Sequence, residues 1–420
     1  MRHRRTLAAL AAACTALAGC AIGGSTASGG FTDYVTIALN TPQSKLPFVA
    51  KFTQQGAQLA MEQINKAGGI KVGGKTYGLK LESMDNELSP SKSLDNIKKA
   101  VADKVVAVID DGYTTDATYK TAGDAGLPIL VDYDSNAALI DTQGRPNVFR
   151  ISPPNDAMAM HLADYVTKKG LKLAIAHDDS EYGVDGHDQL VKAFQAKGVT
   201  FAPDVTLPSN ATDYQNQALQ VQISKATGVL VWARAPVLAQ FVKSLRQNQF
   251  SGQIFSGPTA EDPIVRTQNA DHPEYITGLT YASWRITTEG GPEAWGAFRK
   301  KYEDRNFNDG GPDFHVGVKA SDGKDVVQPP DWHVFPYDMV YLVKAALEQA
   351  GTVSTSGNKL IDALNTVKIK SANGDNRGWT KDNHEGIVDD DIYYATFADM
   401  KFKPVQDDPL SASLPPIDQE

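Results

Sequence analysis

Cysteine is almost absent. The 420-residue chain has only Cys14 and Cys20, both within its first twenty residues. Beyond them it has no disulfide, thiol nucleophile or cysteine metal ligand, so its stability rests on burying a core. A cationic surplus is missing too: 41 Lys and Arg stand against 50 Asp and Glu, a formal net charge of -9. That balance opposes binding to nucleic acid or to an anionic membrane surface, and a solvated acidic surface accounts for it. Past the first twenty residues no apolar run is long enough to span a bilayer. There is no G-x-S-x-G elbow, no H-E-x-x-H and no P-loop, which leaves a hydrolase without its usual machinery. His177-Asp178-Asp179 reads as a polar strand end, His315 and His333 stand alone as solvated histidines, and Asp389, Asp390 and Asp391 lack the Gly and Glu spacing of a calcium loop. No catalytic residue, cofactor or resident metal is expected.

What is present begins with Arg2, Arg4 and Arg5, followed by the Ala-rich apolar segment Leu7 to Leu17. This is the pattern of a secretory signal, too short for a membrane span. It ends in Leu17-Ala18-Gly19-Cys20, which resembles a bacterial lipobox. The resemblance implies residues 1–20 as a lipoprotein signal, Cys20 as the acylated residue, and an extracytoplasmic protein held to the cell membrane by lipid. Residues 21–31 are Gly-, Ser- and Ala-rich and read as a flexible tether.

The most informative stretch is Val105 to Asn136, VVAVIDDGYTTDATYKTAGDAGLPILVDYDSN. Val105 to Ile109 reads as a strand buried on both faces. A loop to Thr115 leads into a helix with Thr118, Thr121, Ala122 and Ala125 on one stripe, stopped at Gly126. Leu127 to Val131 is a second buried strand, and Asp132 to Asn136 a second polar loop. In such parallel crossover units ligands bind beyond the carboxyl ends of the strands. Thr114, Thr115 and Ser135 put hydroxyls there, beside helix N–H groups that suit a carboxylate; helix capping is the alternative role for these hydroxyls. Strands and helices alternate from Tyr34 to Ile151, and the pattern restarts over 152–282, so two α/β units are expected. Asp309 to Pro330 reads as a surface excursion. Tyr337 to Ala350 and Leu360 to Val367 read as helices and Ile392 to Phe402 as strand. Residues 406–420 are expected to be a loose tail.

In order along the chain come GAQLAMEQINKAGGI (Gly56 to Ile70), VVAVID before Thr114-Thr115, GLPIL (Gly126 to Leu130), VFRISPPND (Val148 to Asp156), HDDSEYG (His177 to Gly183), Gly257-Pro258 and PYDMVYLVKAALEQAG (Pro336 to Gly351). Together they resemble the leucine/isoleucine/valine-binding proteins, the receptor-type solute binders of bacterial ABC importers. The resemblance implies a type I periplasmic-binding-protein clamshell: two α/β lobes, each a mostly parallel sheet flanked by helices, joined by three hinge crossovers near Arg150, Trp284 and Val388. Lobe one would be 32–150 with 287–386, and lobe two 151–283 with 389–405. It implies a non-enzymatic monomer that captures a small polar solute, an amino acid or a related carboxylate or amide. The partners would be an ABC permease and its ATPase; a sensor of the same fold feeding a signalling partner is the alternative.

Position by position, Thr115 matches the hydroxyl on the ligand carboxylate, with Thr114 beside it. Tyr133 matches a contact made through the backbone, Ser135 the hydroxyl on the ligand's α-groups, and Tyr182 the aromatic of the opposing lobe. Phe48 lies near the first-loop contact. Arg234 stands where a Tyr is common and would suit a second anionic group. Thr259 stands where an acid commonly meets the ligand ammonium. A buried ammonium needs such a partner, and Asp134, Glu261 and Asp262 are the nearby candidates.

Overall fold

The computed structural model describes residues 30–284, 291–307, 315–327, 332–372, 374, 376–387 and 392–413. The expected signal and Cys20, most of the tether, the crossing near Val388 and Asp389 to Asp391 lie outside the described residues.

Two sheets divide the chain. The first comprises β1 (Tyr34–Thr41), β2 (Ile70–Val72), β3 (Lys75–Asp85), β4 (Ala107–Asp110), β5 (Ile129–Val131) and β6 (Val148–Arg150), in the order β2-β3-β1-β4-β5-β6. All its pairings are parallel except the β2–β3 hairpin. Helices α1 (Pro47–Lys66), α2 (Pro90–Ala102) and α3 (Thr115–Asp124) make the crossovers. Strands β4, β5 and β6 are buried along their whole length, as expected of apolar runs covered on both faces.

Lobe two opens with α4 (Asn155–Val166), β7 (Leu173–Asp178), α5 (Glu181–Gln195), β8 (Asp204–Leu207) and α6 (Gln215–Ile223). It continues with β9 (Gly228–Trp232), α7 (Ala235–Gln247), β10 (Gln253–Ser256), the short α8 (Pro263–Thr267) and β11 (Leu279–Trp284). After β11 come α9 (Gly291–Arg305), the hairpin β12 (His315–Lys319) and β13 (Asp325–Val327), and α10 (Val334–Ala350). Then follow α11 (Lys359–Leu364), the small ladder β14 (Ile369–Lys370) and β15 (Asn376–Arg377), β16 (Ile392–Ala398), β17 (Lys401–Pro404) and α12 (Pro409–Ala412). The second sheet runs β17-β16-β11-β10-β9-β7-β8, so the last two strands close a sheet begun more than two hundred residues earlier.

Helix α10 returns to the first lobe and packs on α1, its Val340, Val343 and Leu347 joining the core of Phe52, Leu59 and Ile64. Gly56 makes the approach possible: a Cβ there would collide with the His333 carbonyl and the Pro336 ring. His333, expected to be solvated, is buried against Tyr302 and Gln55, its Nε2 2.8 Å from the Tyr302 hydroxyl.

Two expectations need correction. The described part of the 309–330 excursion is the hairpin β12–β13, and it does not stay with 287–386 on the first lobe. Val318, Ala320 and Val326 are buried in the second lobe's core with Val265, Phe397 and Phe402. The first part of the tail is also ordered. Ser411 accepts the Tyr394 N–H at 2.9 Å, and Asp407 takes the Tyr165 hydroxyl at 2.7 Å and the Lys169 ammonium. Each case joins residues far apart in sequence, which local composition does not encode.

The crossing at Arg150 is heavily bonded. Its buried guanidinium forms a two-pronged pair with Glu385 and donates to the carbonyls of Asp134 (3.2 Å) and Asn136 (2.7 Å). Its own carbonyl accepts the Trp379 indole N–H at 2.9 Å and the Gly386 N–H at 2.8 Å.

Candidate functional site

The loops after β4 and β5 lie side by side, because Asp110 pairs with Val131 in the parallel ladder. Their backbones are joined by Asp132 N–H to Asp110 (3.1 Å) and Asp134 N–H to Asp111 (2.8 Å). Behind them Asp110, Asp111 and Asp132 are fully buried. Asn40 and Thr115 donate to Asp110, Asn86 to Asp111, and Thr53 to Asp132. Burial, with the neighbouring charge of Asp110, holds Asp111 and Asp132 well above the usual carboxylate range.

The two threonines differ in their relation to this cluster. Thr115 Oγ1 is committed to Asp110 Oδ1 at 3.2 Å. Thr114, the residue before α3, has a buried hydroxyl with no hydrogen-bond partner and caps nothing. Ser135 is buried, and its backbone carbonyl accepts the Asn155 N–H at 2.8 Å. The ring of Tyr133 packs in an aromatic wall with Phe52 (5.9 Å), Tyr113 (5.9 Å) and Trp332 (5.1 Å). Phe48 is half-buried against Phe52 at 5.5 Å.

The carboxyl ends of β7, β9 and β10 supply the opposing face. Tyr182, in the first turn of α5, is buried and stacked on Trp232 at 5.9 Å. Burial pushes its phenol up, and the Thr259 hydroxyl lies beside it. Thr259 itself donates to the Ala233 carbonyl at 2.9 Å. Arg234 pairs with the buried Asp178, Nε at 3.6 Å, while its backbone N–H donates to the same carboxylate at 2.8 Å. Its charge is thus already met by an acid of its own lobe, 56 residues away. The two faces touch at Asp185, which accepts from the Ala137 N–H (3.1 Å) and Asn155 Nδ2 (2.8 Å).

Three buried carboxyls remain, Asp134 on the loop after β5 and Glu261 and Asp262 on the segment after β10. Burial pushes Asp134 up to about 7, against the influence of Arg150. It pushes Glu261 up to about 7, despite the Ser283 hydroxyl at 2.7 Å and the nearby Arg266. Asp262, which caps α8 through the Ile264 N–H at 2.9 Å, rises to about 6. Desolvation therefore outweighs the nearby guanidinium groups at each of the three acids.

A pH dependence follows. Unfolded carboxyls titrate near ~4, whereas Asp134 and Glu261 titrate at about 7 in the fold. Between those values the folded chain holds more protons. The stability these groups contribute is full below the unfolded value and is lost as pH rises through the folded one. The melting temperature without solute should climb as pH falls from ~8 to ~6. Asp134→Asn with Glu261→Gln should flatten that slope; an unchanged slope in a pH series contradicts the assignment.

The signal sequence reasoning missed is Gly186. A Cβ there would collide with the Trp232 indole, so α5 reaches β9 only through glycine, and Tyr182 rides on that contact. Gly186→Ala should cost about 1–3 kcal/mol in chemical denaturation and displace Tyr182 from its place on Trp232.

A family model described as periplasmic binding protein matches residues 35–398. A Leu/Ile/Val-binding protein homolog 3 of Brucella melitensis is 25% identical over 320 residues, 73% of this chain and 77% of that protein. Among solved structures, a periplasmic binding protein type 1 from Bordetella pertussis superposes with a TM-score of 0.76 at 18% identity, covering 89% of this chain and all of that one. The branched-chain amino acid transporter substrate-binding protein LivJ from Streptococcus pneumoniae, in complex with isoleucine, gives 0.72 at 21% identity, covering 88% of this chain and 98% of its own. The two-lobed α/β architecture is thus that of type I periplasmic binding proteins.

Proposed function

The chain belongs to the periplasmic binding protein family, and on that premise we propose that it captures a small amine-bearing polar solute, an amino acid or a near relative, between its lobes. The family is one of extracytoplasmic solute binders, and among the described residues no helix is long and apolar enough to cross a membrane. One observation carries the choice of ligand. The unpartnered Thr114 hydroxyl stands on one face, and three desolvated carboxyls, Asp134 on the loop after β5 and Glu261 and Asp262 on the segment after β10, are the candidates for the ligand's ammonium. Thr114, Ser135 and the start of α3 receive the solute carboxylate. Asp134, Glu261 or Asp262 meets its ammonium in place of Thr259, whose hydroxyl is turned to the backbone. Tyr182 and Tyr133 cover it from either side. Arg234, already paired with Asp178, is not needed for a second anion.

No bond is made or broken in this mechanism. The lobes close by rotation about their crossings, water is excluded, and the polar contacts strengthen in the dry cleft. The lobes are 32–150 with most of 287–386, and 151–283 with 389–405, the 315–327 hairpin riding with the second. The closed monomer, tethered through lipid on Cys20, hands its solute to an ABC permease and its ATPase.

A thermal-shift screen against amino acids, amides, polyamines and aromatic carboxylates tests the reading. A solute at a hundred times its Kd adds about 2.7 kcal/mol, which raises the melting temperature by several degrees. Shifts confined to ligands without an amine overturn the proposed class.

A further inference from the structure

The sequence run His177-Asp178-Asp179 does not stay together in space. Asp178 turns inward to Ser180 and Arg234, and Asp179 accepts the Ser209 N–H at 2.9 Å. His177 instead meets His187 from α5 and Asp204 from β8. One ligand atom from each lies within 4.8 Å of the others, and the two rings are 4.4 Å apart. Register brings them together: β7 and β8 are parallel, with Ile175 opposite Asp204 and His177 opposite Thr206.

The hydrogen bonding gives this cluster a ligand character. His177 Nδ1 is 2.9 Å from the Asp178 carbonyl, a contact that requires N–H and leaves Nε2 as an acceptor, 3.4 Å from the Thr206 hydroxyl. His187 Nδ1 is 2.9 Å from the Asp188 carboxylate, and its Nε2 is 2.9 Å from Asp204 Oδ2. A neutral imidazole donates through one nitrogen only. The ring therefore donates to one carboxylate and turns its other nitrogen to the second, a position that a proton or a metal ion can fill. A ligating histidine whose other nitrogen donates to a carbonyl or carboxylate is the usual outer arrangement of a metal site, and here both histidines have it. The cluster is half-exposed at an edge strand, so an ion has a path in.

We propose that His177, His187 and Asp204 bind a first-row divalent ion of the zinc type, outside the solute cleft. Two imidazoles and a carboxylate suit Zn²⁺, with solvent completing the shell. The ion ties α5 to β8, and α5 carries Tyr182.

Titration calorimetry with ZnCl₂ on the purified, chelator-treated protein tests this. One equivalent should bind, with a rise in melting temperature. His177→Gln and His187→Gln should each abolish the heat, and Asp204→Asn should weaken it. Asp188→Asn, which removes only the outer partner, should weaken binding about 10–100-fold. His272→Ala, which alters the His272–Glu274 pair elsewhere on the lobe, should leave it unchanged. Circular dichroism of each variant separates lost ligation from lost folding. If zinc does not bind the wild type, or binds the His177→Gln/His187→Gln double variant equally well, the site is refuted and His187 only bridges Asp188 and Asp204 by hydrogen bonds.

Discussion

Thr114→Val combined with Ser135→Ala should weaken solute binding by at least about tenfold and leave the fold as stable as before or slightly more so. Each lost hydrogen bond to a charged group is worth about 1.5–3 kcal/mol, and about 1.4 kcal/mol is a factor of ten. The opposite sign of the two effects makes the test sharp. In the solute-free protein the Thr114 hydroxyl is buried with nothing to bond, so replacing it by a methyl of similar shape removes a desolvation cost. Thr115→Val should behave in the reverse way. It strips a donor from Asp110 inside the buried acid cluster, so it should lower stability and spare affinity. Titration calorimetry and chemical denaturation on the variants separate the two threonines. Full affinity in the Thr114/Ser135 variant would move the carboxylate site elsewhere.

Arg150→Met should be the most damaging single substitution, with a loss of about 3–5 kcal/mol in urea denaturation, the usual cost of breaking a buried ion pair from one side. The guanidinium is fully buried and holds Glu385 across 235 residues, together with the carbonyls of Asp134 and Asn136. Removing it strands Glu385 and frees the loop that carries Asp134 and Ser135, so affinity should fall as well. Glu385→Gln should cost less, because its amide oxygen can still accept from the guanidinium and the Arg150 bonds to the Asp134 and Asn136 carbonyls remain. A loss for Arg150→Met below ~1 kcal/mol, the level of an exposed pair, contradicts the role assigned to this crossing.

The architecture was legible because its strands are apolar runs with no polar face: Ala107–Asp110, Ile129–Val131 and Gly228–Trp232 are buried throughout. Motif order gave the family because those runs and their glycines recur at fixed places. The hairpin at 315–327 was not legible. Its valines find their core only after β16 and β17 have returned to the second sheet. Within the site, the loops could be named from sequence and the free atoms could not. Thr114 and Thr115 are equivalent as letters; the bond from Thr115 to Asp110 tells them apart. Arg234 looked available until Asp178 came into reach, and His177 read as part of a polar strand end until β8 placed Asp204 beside it.

The central claim is a cleft built for a solute with both a carboxylate and an amine. The most direct measurement is calorimetric titration of matched pairs, each amino acid against its deaminated carboxylate, at pH ~6 and ~8, spanning the pKa of about 7 of Asp134 and Glu261. The amine-bearing member should bind at least about tenfold more tightly, and its affinity should rise with pH as Asp134 and Glu261 give up their protons to meet the ammonium. Equal or tighter binding of the deaminated member, or amine binding that weakens as pH rises over that range, would contradict it.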